Sequence, residues 1–262
     1  MRGRCAVVTG AASGIGAAVA RRFARAGAAV AVLDLDEAGA EAVAAEIVRA
    51  GGGALALRCD VTSAEECQRA VRAAQGAFGG IDCLVNNAGI THVGLVRDTD
   101  AAVLRRVMDV NFFGAVHCTQ AALPSLLARR GAIAVLSSVA GFAPLATRAG
   151  YAASKHALHG FFDSLRAEHA RDGLRVTLVC PSFVRTGIGA RALGPDGRPA
   201  PPGARTGVRG EVAPEVVAEA LYRGVERGRR LVLVQREARL SHWLAGLWPA
   251  AYDALMVRRT LG

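Results

Sequence analysis

The chain reads as a single-domain α/β protein, a doubly wound parallel sheet of about seven strands with helices on both faces. Three observations predict it. Short β-branched apolar runs alternate with longer Ala-rich stretches carrying charges at helical spacing, which is the sequence form of βαβ units. Of 262 residues, 52% are hydrophobic and only 5% aromatic, so a sizeable core of Ala, Val and Leu is available and a disordered chain is excluded. A glycine-rich turn follows the first apolar run and opens the first helix. A length of 262 lies at the upper end for one core and argues against two equal domains.

The elements follow in order. Strand 4–9 carries the run Cys5 to Thr9 and meets a helix beginning near Ile15. Strand 28–33 ends at Asp34, with a helix from near Glu37. Strand 54–59 leads to Thr62-Ser63, an N-cap signal with Glu65 and Glu66 in the first turn of a helix from Ala64. Strand 83–86 is followed by helices from near Ala101 and Val110, and strand 132–137 by a helix from near Ala152. Strands 175–179 and 231–234 flank a helix from near Pro214. Between Gly187 and Gly210 the rhythm breaks: Gly194, Pro195, Gly197, Pro199, Pro201, Pro202, Gly203 and Gly207 stand among Arg191, Arg198, Arg205 and Arg209. Such a stretch inside a compact domain predicts a mobile substrate loop at 187–212. Residues 239–262 form a C-terminal amphipathic extension, with Leu240, Trp243, Leu244, Leu247 and Trp248 on one helix face. Packing against the domain or a second subunit is the favoured role; with nearby arginines, peripheral contact with a membrane surface is the alternative.

The turn Thr9-Gly10-Ala11-Ala12-Ser13-Gly14-Ile15-Gly16 lets one glycine turn the chain, one admit a pyrophosphate and one bring helix and strand together. Asp34 falls 18 residues after Gly16, at the end of the second strand, where a carboxylate can accept from adenosine ribose hydroxyls. It would repel a 2′-phosphate, and Ser13 supplies no compensating cation, so NAD is favoured over NADP. A plain turn and an ordinary helix cap are the bland readings of these two features.

Tyr151 and Lys155 stand four residues apart, hence on one helix face. A free phenol has a pKa of about 10, and a neighbouring cation stabilises its anion. Of the 32 basic residues, Lys155 is the one lysine. Ser138 closes the fifth strand 13 residues before Tyr151, where a hydroxyl can hold a substrate oxygen while the tyrosine exchanges its proton.

From about Arg4 to Thr186 these motifs, in this order, resemble the classical short-chain dehydrogenase/reductase family. The resemblance implies a Rossmann-like fold, Tyr151 as general acid/base, Lys155 as the group that lowers its pKa and holds the nicotinamide ribose, and Ser138 as the orienting donor. It implies that Asn111 anchors a water joining Lys155 to solvent. Gly10, Ser13, Gly14, Ile15, Gly16 and Asp34 would hold the cofactor together with Asp60 and Val61, with Asn87, Ala88 and Gly89 after Asn86, and with Pro181, Val184 and Thr186. Tyr151 and Lys155 belong to the same set. Where many relatives have glycine after that proline, this chain has Ser182, whose side chain could narrow the substrate mouth.

Candidate pocket residues are His92, Val93, Ala140, Phe142, Phe183 and Ile188, a mostly apolar set suited to a lipophilic secondary alcohol or ketone. The net charge of +10 is spread over helices, with no nucleic-acid motif. Six cysteines without a CxxC pair, and no His spaced to complete a zinc site, predict reduced, buried thiols and no metal. No charged leader and no apolar run of spanning length is present, so a soluble, cytoplasmic protein is expected, working as a homotetramer or homodimer. The readings are thus an NAD-dependent oxidoreductase, an NADPH-dependent 3-oxoacyl-carrier-protein reductase, or a non-catalytic dinucleotide sensor.

Overall fold

The computed structural model describes residues 1–201 and 211–260, so Pro202, Gly203, Arg205, Gly207 and Arg209 of the expected loop lie outside the described residues. Seven strands, β1 (Cys5–Thr9), β2 (Ala29–Asp34), β3 (Ala54–Arg58), β4 (Cys83–Asn86), β5 (Ala132–Leu136), β6 (Arg175–Cys180) and β7 (Leu231–Leu233), form one sheet in the order β3-β2-β1-β4-β5-β6-β7. Every pairing is parallel; Val8 stands opposite Val32 on one side and Val85 on the other. The order reverses between β1 and β4, and the carboxyl ends of those strands therefore open a crevice.

Both faces of each central strand are buried, which is why the strands read as unbroken apolar runs. Ala6 and Val8 point to the face covered by α1 (Gly14–Arg25), α2 (Glu37–Arg49) and α7 (Pro214–Glu226). Cys5 and Val7 point to the face covered by α3 (Ala64–Phe78), α5 (Gly114–Ala128) and α6 (Ala149–Glu168). Ser63 caps α3 by accepting from the Glu66 N–H at 3.2 Å. All six cysteines are free and buried, and burial pushes the Cys5 and Cys83 thiols up to about 12.

Two helix starts differ from expectation. No gap separates the helices expected from Ala101 and Val110: α4 (Ala101–Met108) runs through one π-helical turn, Asp109–Phe113, directly into α5. The extra residue of a π turn displaces the side chains that follow it, and such turns cluster at functional sites. α6 starts at Ala149 instead of Ala152, because the Gly150 N–H finds an acceptor outside the helix, the Nε2 of buried His92 at 2.9 Å.

At the C-terminal end, α8 (Arg236–Leu247) and α9 (Pro249–Thr260) pack on each other. Ala238 and Tyr252 turn inward, while Leu240, Trp243, Leu247 and Trp248 are all at least 60% exposed. Of the expected apolar face, Leu244 alone is half-buried and the other four side chains face outward. Among the described residues no helix is long and apolar enough to cross a membrane.

Candidate active site

The crevice is lined first by the turn between β1 and α1. Gly10 has φ +64°, and a Cβ there would lie 2.7 Å from the Ala88 backbone; a Cβ on Gly16 would lie 2.1 Å from the Gly10 carbonyl oxygen. Both positions thus exclude any side chain. Gly14 has φ +55° and faces the Thr186 methyl group, 3.3 Å from where its Cβ would stand. Thr9 ties this turn to β4. Its hydroxyl accepts from the N–H groups of Asn87 (3.0 Å) and Ala88 (3.1 Å), while the Asn87 Nδ2 donates to the carbonyls of Thr9 and Gly10. Thr9 is 2% exposed; the sequence places it at the head of the glycine turn but gives no sign of these bonds. The Asp34 carboxylate accepts from the Ala12 N–H at 2.8 Å, and Asp36 is the residue that caps α2, so Asp34 belongs to the glycine turn.

The glycine turn does have a cation beside it. Ser13 carries no cation itself, but Arg191 comes in from the 187–212 loop and donates to the Ser13 hydroxyl at 3.2 Å. The described part of that loop is tied down: Leu193 bonds the backbone of Thr91 and Val93, and Val212 bonds that of Phe183 and Arg185. Val184 is 6% exposed and Pro181 is buried, its carbonyl accepting from the Val139 N–H. Gln235 holds the same turn, accepting from the Ser182 N–H at 2.7 Å and donating to the Phe183 carbonyl at 2.9 Å. As one glutamine following a short strand, it gave no signal in the sequence.

Beyond the end of β3, the Asp60 carboxylate accepts from the Thr62 N–H and hydroxyl. Val61 packs against Gly114, where a Cβ would approach its methyl to 2.6 Å. Ile15 is half-buried on the first turn of α1.

Tyr151 and Lys155 lie on α6, with the Lys155 Nζ 5.6 Å from the centre of the Tyr151 ring. Lys155 is 5% exposed and donates to the carbonyl of Leu136, the last residue of β5, at 2.7 Å. Burial lowers its pKa from 10.5 to about 8, because the charged form loses hydration. Between them sits Ser154, fully buried, whose hydroxyl donates to the Tyr151 carbonyl and accepts from the Asn111 Nδ2 at 2.9 Å. Asn111 also exchanges bonds with both backbone groups of Ile90, and a Cβ on Gly89 would stand 3.2 Å from its Oδ1. The π turn thereby joins the end of β4 to α6. Ser138 follows β5, and its hydroxyl oxygen accepts from the Ala140 N–H at 3.2 Å.

The expected pocket residues divide. His92 is 1% exposed and engaged with Gly150, so it positions α6 and does not form an open wall. Ala140 is buried; Val93, Phe183 and Ile188 are half-buried. Phe142 stands edge-on to His242 of α8 (4.8 Å between ring centres) and to His159 of α6 (6.3 Å). Behind the end of β5, His159 Nε2 lies 2.9 Å from the Ser137 hydroxyl and 3.7 Å from the Cys180 sulfur, and burial lowers its pKa to about 4. Among the described residues, no three His, Cys, Asp or Glu side chains converge as metal ligands.

A family model described as short chain dehydrogenase matches residues 4–193. The chain is 34% identical over 267 residues to "Dehydrogenase/reductase SDR family protein 7-like" of Anopheles gambiae, covering 99% of this chain and 84% of that protein. It is 37% identical over 194 residues to 2-(S)-hydroxypropyl-CoM dehydrogenase 3 of Xanthobacter autotrophicus, 73% of this chain and 76% of that one. The crystal structure of a short chain dehydrogenase/reductase from Burkholderia phymatum in complex with NAD superposes with a TM-score of 0.84 at 26% identity, covering 94% of this chain and 93% of the other. The chain belongs to the short-chain dehydrogenase/reductase family.

Proposed function

We propose that the protein is an NAD-dependent oxidoreductase that interconverts a lipophilic secondary alcohol and its ketone. The observation that carries this reading is the buried Lys155 ammonium, 5.6 Å from the Tyr151 ring at the carboxyl end of the sheet. The residues fit a dinucleotide. Side-chain-free Gly10 and Gly16 make a cradle, the first N–H groups of α1 have no side-chain cap, and Asp34 stands beside them to receive a ribose. The Burkholderia phymatum relative binding NAD supports the same choice.

When bound, the nicotinamide supplies or accepts the hydride. The chain's own groups handle the proton. Ser138 uses an acceptor lone pair on the Ala140 N–H, which leaves its O–H to donate to the substrate oxygen. Tyr151 gives that oxygen a proton in reduction and takes it in oxidation. The Lys155 cation favours the phenolate and, reciprocally, is favoured by it. Both amide N–H groups of Asn111 are committed to Ile90 and Ser154, so a water relaying protons from Lys155 must donate to an Asn111 oxygen.

Support for the substrate class comes from the apolar, half-buried Val93, Phe183 and Ile188, and from a relative named for a 2-hydroxypropyl group, a secondary alcohol. Turnover across aliphatic, steroid and sugar alcohols, each with NAD and NADP, tests it. Activity with lipophilic secondary alcohols and NAD is expected; activity confined to sugars, or to NADP, would overturn it. Tyr151→Phe is expected to lower kcat about 10³-fold while leaving NAD affinity unchanged, since proton transfer by a positioned group is worth about 10²–10⁴. Retained turnover would take Tyr151 out of the proton transfer, and a wild-type chain that binds NAD but turns over no alcohol would revive the sensor reading.

The proposal extends to a cytoplasmic homodimer or homotetramer. The buried, unbridged thiols support a reducing compartment. Exposed Trp243 and Trp248 form an apolar surface of the kind that a second subunit covers. Light scattering should give a dimeric or tetrameric mass that falls when the chain is cut after Arg239; a monomer that floats with liposomes would replace this by membrane contact.

A further inference from the structure

Arg191 brings a cation to the glycine-rich turn from a residue 178 positions further along the chain. We infer that its guanidinium binds a phosphate of the dinucleotide, and so couples residues 187–193 to cofactor binding. The inference rests on the reading of this crevice as a dinucleotide site and adds a ligand that the turn itself lacks.

The capping pattern is the first argument. Asp36, Ser63 and Asp100 cap α2, α3 and α4 through their side chains. Ser13 is of the right type and, with φ −153°, in the right conformation to cap α1, yet it makes no such bond. Its hydroxyl accepts from Arg191 instead. The first-turn N–H groups of α1 stay available to an anion, with a guanidinium beside them.

Position is the second. The Arg191 N–H donates to the Gly187 carbonyl at 3.1 Å, and two residues later Leu193 is fixed by its bonds to Thr91 and Val93. The guanidinium folds back over Gly187, where a Cβ would lie 3.3 Å from Nη2. Adjacent Thr186 faces Gly14. Arg191, Thr186, Ser13 and Gly14 therefore surround one spot.

Charge is the third. Arg22, Arg129 and Arg230 pair with Glu219, Asp82 and Asp163, but among the described residues Arg191 has no carboxylate partner. One bond to Ser13 leaves most of its donor fork open, in the planar arrangement that suits phosphate oxygens. Asp34, bonded to Ala12, flanks the same turn one residue away. A carboxylate for ribose hydroxyls and a guanidinium for phosphate thus attach to consecutive residues. The phosphate is either the pyrophosphate shared by NAD and NADP or the 2′-phosphate of NADP.

Calorimetric titration of the full chain with NAD, NADP and adenosine, for wild type, Arg191→Gln and Arg191→Lys, tests the inference. Glutamine keeps a donor for Ser13 but removes the charge, and should weaken dinucleotide binding about tenfold, the scale of one charge-assisted hydrogen bond. Lysine should retain most of the affinity, and adenosine should bind all three alike. Equal loss for NAD and NADP assigns the pyrophosphate; loss confined to NADP assigns the 2′-phosphate. Wild-type affinity in Arg191→Gln, or an equal loss for adenosine, would overturn the inference, leaving Arg191 a loop tie. Wild type that binds neither dinucleotide would overturn the dinucleotide reading itself, and this inference with it.

Discussion

The proposed cofactor side and the proposed substrate side of the crevice are held by different kinds of bond. Around residues 9–16, nearly every tie runs from a side chain to a backbone group: Thr9 to Asn87 and Ala88, Asn87 to Thr9 and Gly10, Asp34 to Ala12. On the substrate side the ties are between rings, Phe142 with His159 and His242, and between lengths of loop backbone, Leu193 with Thr91 and Val93. A dinucleotide presents the same atoms in every turnover, so a backbone locked to within tenths of an ångström suits it. Walls made of side chains on loops can change without disturbing that frame. Tyr151, Lys155, Ser154 and Asn111 sit at the seam and belong to the first kind.

The largest break in this contrast comes from Lys155. Burial lowers its pKa from 10.5 to about 8, a cost of about 3 kcal/mol at neutral pH. Lys155→Met should lower kcat by about 10²-fold or more, since the phenolate loses its cation. The same variant should melt about 2–4 °C higher at pH 7, even allowing for the Leu136 carbonyl it leaves unpaired. Below pH 8 both folded and unfolded lysine are charged, and the penalty is complete. Between about 8 and 10.5 the unfolded chain holds a proton that the folded chain has released, so wild-type stability rises with pH through that window. The advantage of methionine should therefore shrink at pH 10. Calorimetric scans at both pH values check it; a variant that melts lower at pH 7 would mean that the Leu136 bond outweighs desolvation.

Thr9 sharpens the contrast at the next scale. Thr9→Val keeps the shape but removes the acceptor for two N–H groups. Leaving buried donors unpaired costs about 1–3 kcal/mol each, so destabilisation and about a tenfold rise in the NAD dissociation constant are expected. Alcohol KM at saturating NAD should stay within about twofold, a limit set by the tolerance of sites outside the damaged network. A KM that rises as much as the NAD constant would show that the two sides are not separately built.

The same division decided what was legible in the sequence. The succession of strands and helices, the glycine turn and the Tyr151-Lys155 spacing are local patterns, and apolar alternation, a glycine run and helical spacing exposed them. Thr9, Ser154 and Gln235 act through side-chain hydrogen bonds to groups between 3 and 79 residues away, and no local pattern announces such bonds. The missing break between Met108 and Val110 is likewise a matter of one hydrogen-bond register, invisible to composition. His92 misled because an imidazole after a strand end looks like a pocket group, whereas its Nε2 is occupied by the Gly150 N–H. Arg191 was hidden by abundance: in a chain with 31 other basic residues nothing marks the one that reaches Ser13.

The smallest effect on turnover is expected at His159, and it is the sharpest test of the packing side. Its ring is neutral because burial lowers its pKa to about 4, with Nε2 against Ser137 and Cys180. An unfolded histidine takes up its proton near pH 6.5. As pH falls from 6.5 towards 4 the unfolded chain therefore binds a proton that the folded chain refuses, and stability drops by up to about 3 kcal/mol. His92, lowered by burial and then by Arg148, adds a loss of the same sign. His159→Gln carries no titrating group and should flatten the wild-type decline in melting temperature between pH 6.5 and 5, where most carboxylates are still ionised. Its kcat at pH 8 should stay within about twofold, since the side chain supports Ser137 and not the reacting oxygen. Melting curves for the two proteins across that range decide the matter. A variant that declines as steeply as wild type would move the titration to His92, while a large loss of kcat with unchanged stability would bring His159 into the positioning network of Ser138.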